Sequence, residues 1–283
     1  EIGLGIPAEP LFRSNYLVQS LATGLRRFVK GYFGKGADGK ERKPRILLVD
    51  LDPQVSLSFL FDWDQVNSDN KPTTYDALIN QTSLPVYKMQ EGIYLAPASQ
   101  KMVSIEPFLN QMAVPRKALR KLLLKPLQEM QGTELADEGV NSILDAFDYV
   151  LIDCPPAMSL LTYNALAAAS SVVIPVQLEV LATKGIAEIT NAVKETREDL
   201  NEDLDIRGLL EVMSNDQTKA TRQFKEYLSK KFDDYVFDSY TRRDTKMVEA
   251  QAMGTDIFSY APYCRVGQDY ERFTKEILES MPQ

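Results

Sequence analysis

Arg45-Ile-Leu-Leu-Val-Asp-Leu-Asp-Pro-Gln54 is a short apolar run that ends in two carboxylates two positions apart, followed by a proline. A run of that length and composition reads as a buried strand, and Pro53 as the start of a helix. Asp148-Tyr-Val-Leu-Ile-Asp-Cys-Pro-Pro156 repeats the pattern with one terminal acid, Asp153. Outward from these two stretches, apolar β-rich runs at 93–97, 172–176, 208–213 and 235–239 also read as strands. Stretches of helical period at 16–29, 118–130, 160–169, 184–200, 218–232 and 269–281 alternate with them;. That alternation implies an α/β fold, doubly wound, with a mostly parallel sheet flanked by helices on both faces. Such folds bind ligands at the carboxyl ends of their strands, which is where both acid-tipped runs finish.

Carboxylates in that position can hold water on Mg²⁺ or orient a nucleophilic water. Asp50 and Asp52 are expected to project from the same side of their strand. Asp52 before Pro53 suits a helix N-cap equally well, and the residues of this stretch alone leave both readings open. Asp153 has the matching alternative of a loop cap, with Pro155-Pro156 as a rigid strand exit. The presence of two acid-tipped strands in one doubly wound fold favours a shared site.

The chain has 283 residues, 44% of them apolar, enough for one full core; a single domain over 1–283 is expected, with surface insertions near 31–43 and 62–72;. With 25% charged residues and no apolar run of about eighteen, no membrane span is expected;. No basic segment leads into an apolar stretch near residue 1, so a cytoplasmic location is expected;. Cys154 and Cys264 lack metal-ligand spacing;. The sequence contains no histidine, which excludes imidazole bases and ligands;. A net charge of −8 opposes whole-molecule attraction to nucleic acid, so DNA binding would need a local basic patch;. Arg116, Lys117, Arg120, Lys121 and Lys125 surround the apolar Leu119, Leu122 and Leu123, and read as the solvated face of a helix;.

The strings ILLVDLDPQVSLS (46–58) and VLIDCPPAMSLLTYNALAAASSVVIPVQLE (150–179) resemble the ParA/MinD family of deviant Walker-box partition ATPases. The resemblance continues in order through YDALINQ, IYLAPASQKM and TRRDTKMVEAQAMGTDIFSYAP, so it spans nearly the whole chain. It implies a P-loop NTPase-like fold and a protein that forms a homodimer with ATP and Mg²⁺. It also implies nonspecific DNA binding, nucleoid association, and release by a ParB-like or cargo adaptor protein. By the same resemblance Asp52 orients the attacking water with Asp50 in support, and Asp153 and Asn15 hold the Mg²⁺ shell. Ser14, Asn15, Asn215 and Pro262 contact nucleotide. Gln54, Pro155 and Pro156 lie at the dimer or switch region, and Arg243, Lys246, Arg222 and Lys225 face DNA, with Lys230 extending that patch.

One departure bears on activity. The family's first strand runs into a K-G-G-x-G-K-[ST] loop, whose amides surround phosphate while lysines neutralise it. With Ile2 to Ile6 on the first strand, the loop here is Pro7-Ala-Glu-Pro-Leu-Phe-Arg-Ser-Asn15, with Glu9 at the signature lysine and Ser14 at the second. Glutamate repels phosphate, and two prolines remove amide donors. Gly34-Lys-Gly-Ala-Asp-Gly-Lys40 has P-loop spacing but continues into Glu41 and precedes a strand, so it is rejected;. Arg13 and Lys184 are candidate substitute cations, although a surface role suits each better. Two readings stand: an ATP-dependent positioning protein with a non-standard phosphate site, and a pseudo-ATPase dimer that binds DNA or a partner without hydrolysis.

Overall fold

A computed structural model describes residues 2–4, 14–29, 42–63, 71–125, 142–177, 182–214, 226–228, 230–232 and 235–280. Its strands are β1 Ile2–Leu4, β2 Ile46–Asp50, β3 Tyr87–Gln90, β4 Ile93–Ala96, β5 Tyr149–Asp153, β6 Ser171–Gln177, β7 Asp205–Ser214 and β8 Val236–Arg242. They form one sheet in the order β3-β4-β2-β5-β1-β6-β7-β8. Every pairing is parallel except β3 with β4. The chain builds outward from β1 to one side, returns with β5, and then builds to the other side through β6, β7 and β8. That reversal opens a crevice at the carboxyl ends of the central strands.

The strands form here because both of their faces are covered. Ile46 and Leu48 of β2 join Leu151, Val173, Leu210 and Val212 under the helices Ser14–Phe28 and Arg265–Glu279. Leu47 and Val49 point the other way, joining Val150, Ile152, Ile174 and Val176 beneath Ala118–Leu123, Leu160–Ala168 and Ala182–Asp199. The period-two alternation thus feeds two cores, and full burial of a leucine or valine contributes about 1.5–3 kcal/mol. Gly24 lets the first and last helices touch, because a Cβ there would overlap the Thr274 hydroxyl. Glu276 on the last helix accepts the amides of Asp238 at 2.7 Å and Ser239 at 2.8 Å, fastening the edge strand β8.

Most expected elements are present, with altered ends. The helix expected at 118–130 runs Ala118–Leu123, buries Leu119, Leu122 and Leu123, and leaves Lys121 exposed. The last helix begins at Arg265, four residues before the expected 269. Residues 226–228 and 230–232 are helical, and the rest of the helix expected at 218–232 lies outside the described residues. So do most of the two insertions, and the rejected 34–40 stretch. The expectation that Pro53 starts a helix is wrong. Val55 takes a left-handed conformation, φ 59 and ψ 21, and the helix runs Ser56–Leu60.

Candidate nucleotide site at the strand ends

Asp50 closes β2 and is fully buried. Its Oδ2 accepts the Ser58 hydroxyl at 2.6 Å and the Ser58 amide at 2.9 Å; its Oδ1 accepts the Asp52 amide at 3.0 Å. Burial raises its carboxyl to about 7, against the lowering effect of those donors;. Asp50 and Asp52 therefore do not open side by side onto one surface, because the first is consumed in holding the main chain of the second.

Asp52 is half-buried, and burial raises its carboxyl while the Gln54 amide, 2.9 Å from its Oδ1, lowers it. Its carbonyl accepts the Val55 amide at 2.9 Å. A side chain that accepts the amide two residues on makes an Asx turn, and Asp52 caps that turn rather than a helix. Gln54 is exposed beside it.

Asp153 ends β5, is 1% exposed, and lies directly across from Asp50 in the parallel register. Burial pushes the thiol of neighbouring Cys154 well up, and Asp153, Asp52 and Asp50 each push it further. Pro155 is buried and Pro156 exposed where the chain leaves the site. In the first turn of helix Ser14–Phe28, Asn15 is 3% exposed and its Oδ1 has no hydrogen-bond partner among the described residues. The side chain of Ser14 lies outside the described residues, as do Glu9, Arg13 and the rest of 5–13.

The Asn15 amide oxygen and the Asp50 and Asp153 carboxylates are hard oxygen donors of the kind suited to Mg²⁺, which takes one or two protein oxygens and completes its shell with water and phosphate;. Among the described residues no three His, Cys, Asp or Glu are grouped so that they could hold a metal ion.

A cavity of about 590 Å³ opens beside the ends of β7 and β8, lined by Tyr16, Met213, Arg243, Gln251, Val266 and Tyr270 among others. The sequence reading missed it because its walls come from five separate segments. Pro262 is half-buried and does not line it, and Asn215 lies outside the described residues. Met213 has φ 52, so two apolar residues in the left-handed region, Val55 and Met213, stand near the strand ends. Such conformations cost about 1–3 kcal/mol each and concentrate at functional sites.

Arg243 is exposed, and Lys246 sits in helix Thr245–Ala252, which Asp244 caps. Lys246 Nζ is 2.7 Å from Glu249 Oε2, which also accepts the Tyr260 hydroxyl at 2.8 Å, so much of its charge is matched locally. Lys230 is exposed; Arg222 and Lys225 lie outside the described residues. Lys184, 82% exposed, pairs with Glu188 at 3.8 Å and faces solvent, as a surface charge does.

The sequence profile of a family described as an AAA domain matches residues 39–206, more than half of the chain. The sporulation initiation inhibitor protein Soj of Bacillus subtilis is 32% identical over 236 residues, covering 82% of this chain and 86% of that protein. The chain belongs to the ParA/MinD family of partition ATPases. Two other relatives agree with that membership. The chromosome-partitioning ATPase Soj of Treponema pallidum is 29% identical, covering 83% of this chain and 85% of that one. The chromosome partitioning protein ParA of Caulobacter vibrioides is 27% identical, covering 83% and 82%. Among solved folds, apo McdA of Cyanothece superposes with TM-score 0.76 at 14% identity, over 100% of this chain and 99% of McdA. Cobyrinic acid a,c-diamide synthase of Mycobacterium smegmatis, solved with an ATP analog and magnesium, gives 0.72 at 22% identity, covering 98% and 93%. These two show a shared ParA-type P-loop fold. Among the described residues no helix is long and apolar enough to cross a membrane.

Proposed function

We propose that residues 1–283 act as one nucleotide-switch domain, an ATP-dependent partition or positioning protein that dimerises and binds nonspecific DNA. The observation that carries this is the pairing of two buried carboxylates, Asp50 and Asp153, across adjacent parallel strand tips, with Asp52 held by Asp50; Asn15, in the first turn of helix Ser14–Phe28, adds a buried oxygen with no partner among the described residues. Asp52, the most accessible of the three, orients the attacking water through its carboxylate. Asp153 and Asn15 hold the water shell of Mg²⁺, which neutralises phosphate charge when bound. Gln54 and Pro156, exposed beside these groups, face the second copy. A ParB-like or cargo adaptor releases the dimer from the nucleoid.

The altered loop at 7–15 favours a second reading, a pseudo-ATPase, and calorimetric titration with ATP and Mg²⁺ separates the two. Loss of charge-assisted contacts predicts a Kd weaker than about 1 μM. Submicromolar affinity would mean that the phosphate site lies elsewhere, and no binding would leave the pseudo-ATPase. Asp52→Ala should abolish turnover while sparing ATP binding. For DNA, Arg243→Glu with Lys246→Glu should abolish a salt-sensitive, sequence-independent mobility shift. Undiminished retention would remove that surface from the mechanism.

A further inference from the structure

Ser58 carries none of the roles above, yet its hydroxyl joins separate segments at the strand ends. It is fully buried, as are Asp50 and Ala98. Its hydroxyl donates to Asp50 Oδ2 at 2.6 Å and accepts the amide of Ala98 at 3.1 Å, and its own amide donates to the same Oδ2 at 2.9 Å. One hydroxyl thereby joins the tip of β2, the helix Ser56–Leu60 and the segment that leaves β4. The other oxygen of Asp50 holds the Asp52 amide, and the Asp52 carboxylate holds the Gln54 amide. Between the two ends of this chain lies Val55, in a left-handed conformation that a β-branched residue adopts only under constraint;.

We infer that Ser58 is the positioning residue of the site: through Asp50 it fixes the main chain of Asp52, and so the direction in which the Asp52 carboxylate presents itself. The inference rests on the reading of Asp52 as the water-orienting group. A hydroxyl is the side chain that this point requires, because it must donate to a carboxylate and accept from an amide at once. A buried carboxylate is held by its donors, and losing one releases it to rotate or to take a proton. Asp50 then belongs to the same positioning relay and not to the groups that touch substrate.

The test compares Ser58→Ala with Ser58→Thr, which keeps the hydroxyl, by two measurements. The first is amide hydrogen exchange of the nucleotide-free protein. In Ser58→Ala exchange should quicken at Ala98 and also at Asp52 and Gln54, by about tenfold or more, with β6 unchanged; Ser58→Thr should restore protection. Faster exchange at Ala98 alone would overturn the inference, since Ser58 would then only pin β4. The second is ATP turnover, where Ser58→Ala should lower kcat by about tenfold with KM altered less than about twofold, and Ser58→Thr should recover most of it. An unchanged kcat in Ser58→Ala also overturns the inference. If the wild type does not turn over ATP, the hydrolytic reading fails, and the exchange comparison still decides whether Ser58 positions Asp52. Should Ser58→Ala unfold, the same exchange measurement on Asp50→Asn reads the relay from its next member, with loss of Asp52 protection expected and its retention overturning the inference.

Discussion

At the tip of β2 a buried carboxylate, Asp50, meets only neutral donors: one hydroxyl and two amides. At the tip of β8 another fully buried carboxylate, Asp269, meets two guanidinium groups. Arg242 gives it Nε at 2.9 Å and Nη2 at 2.7 Å, Arg272 a further close contact, and the Arg242 amide 3.0 Å. Both acids fasten a strand end to a neighbouring helix. Neutral donors leave a charge uncompensated, so Asp50 stays close to its titration at neutral pH, whereas cations match it, and Asp269 in turn raises the pKa of Arg242;. The β8 tip is thus a latch closed by opposite charges, and the β2 tip is a latch whose grip depends on a proton.

The strongest way to break this comparison is to remove the latch at β8. Asp269→Ala removes the acceptor of the Arg242 amide and guanidinium and leaves two partly exposed cations to solvent, and should cost about 1–3 kcal/mol, read from the urea midpoint;. A loss under about 1 kcal/mol would show that the two strand ends are held alike. The next test is pH. Unfolded, Asp50 ionises near 3.8; folded, at about 7. Between those values the folded protein holds a proton that the unfolded chain has lost, so the stability this group contributes falls as pH rises through that window and is level above it. The Tm of wild type minus that of Asp50→Asn should therefore decline from about pH 4 to about pH 7. A level difference would make Asp50 an ordinary ionised acid. The smallest effect concerns Val55. Relief of about 1–2 kcal/mol of left-handed strain opposes the loss of a buried isopropyl group worth about 1.5–2 kcal/mol. Val55→Gly should stay within about 1 kcal/mol of wild type, while Val49→Ala in regular β2 should lose about 2–3 kcal/mol. Equal losses would mean that Val55 is unstrained.

Strands buried on both faces were the legible part of this chain. Tyr149–Asp153 has the bounds expected from sequence, because four successive residues packed by two cores leave a continuous apolar run that Asp153 closes. β3 was not foreseen: Tyr87–Gln90 has only four residues, alternately half-buried and exposed, and gives no such signal. Helix Thr245–Ala252 was read only as a basic stretch, since its buried face is no more than Met247 and Ala250. Within the candidate site, the identities of Asp50, Asp52 and Asp153 were visible, and the resemblance gave Asp50 a supporting part, but the inward hydrogen bonding of Asp50 was not visible. It depends on Ser58, eight residues on, folding back through a left-handed valine that no propensity favours;. The Arg242–Asp269 pair spans 27 residues and likewise leaves no local trace.

An open parallel sheet ends in strands whose spare amides invite pairing with any other extended chain, the route to aggregation. The carboxylate that Glu276 lays across the amides of Asp238 and Ser239 occupies such a docking rail on β8 with a charged group. An incoming strand would have to displace that carboxylate before it could form its first bonds. Keeping the protein from polymerising through this edge therefore draws on two acids of the last helix, Glu276 over Asp238 and Ser239 and Asp269 over Arg242, and Glu276→Ala should shorten its life in concentrated solution.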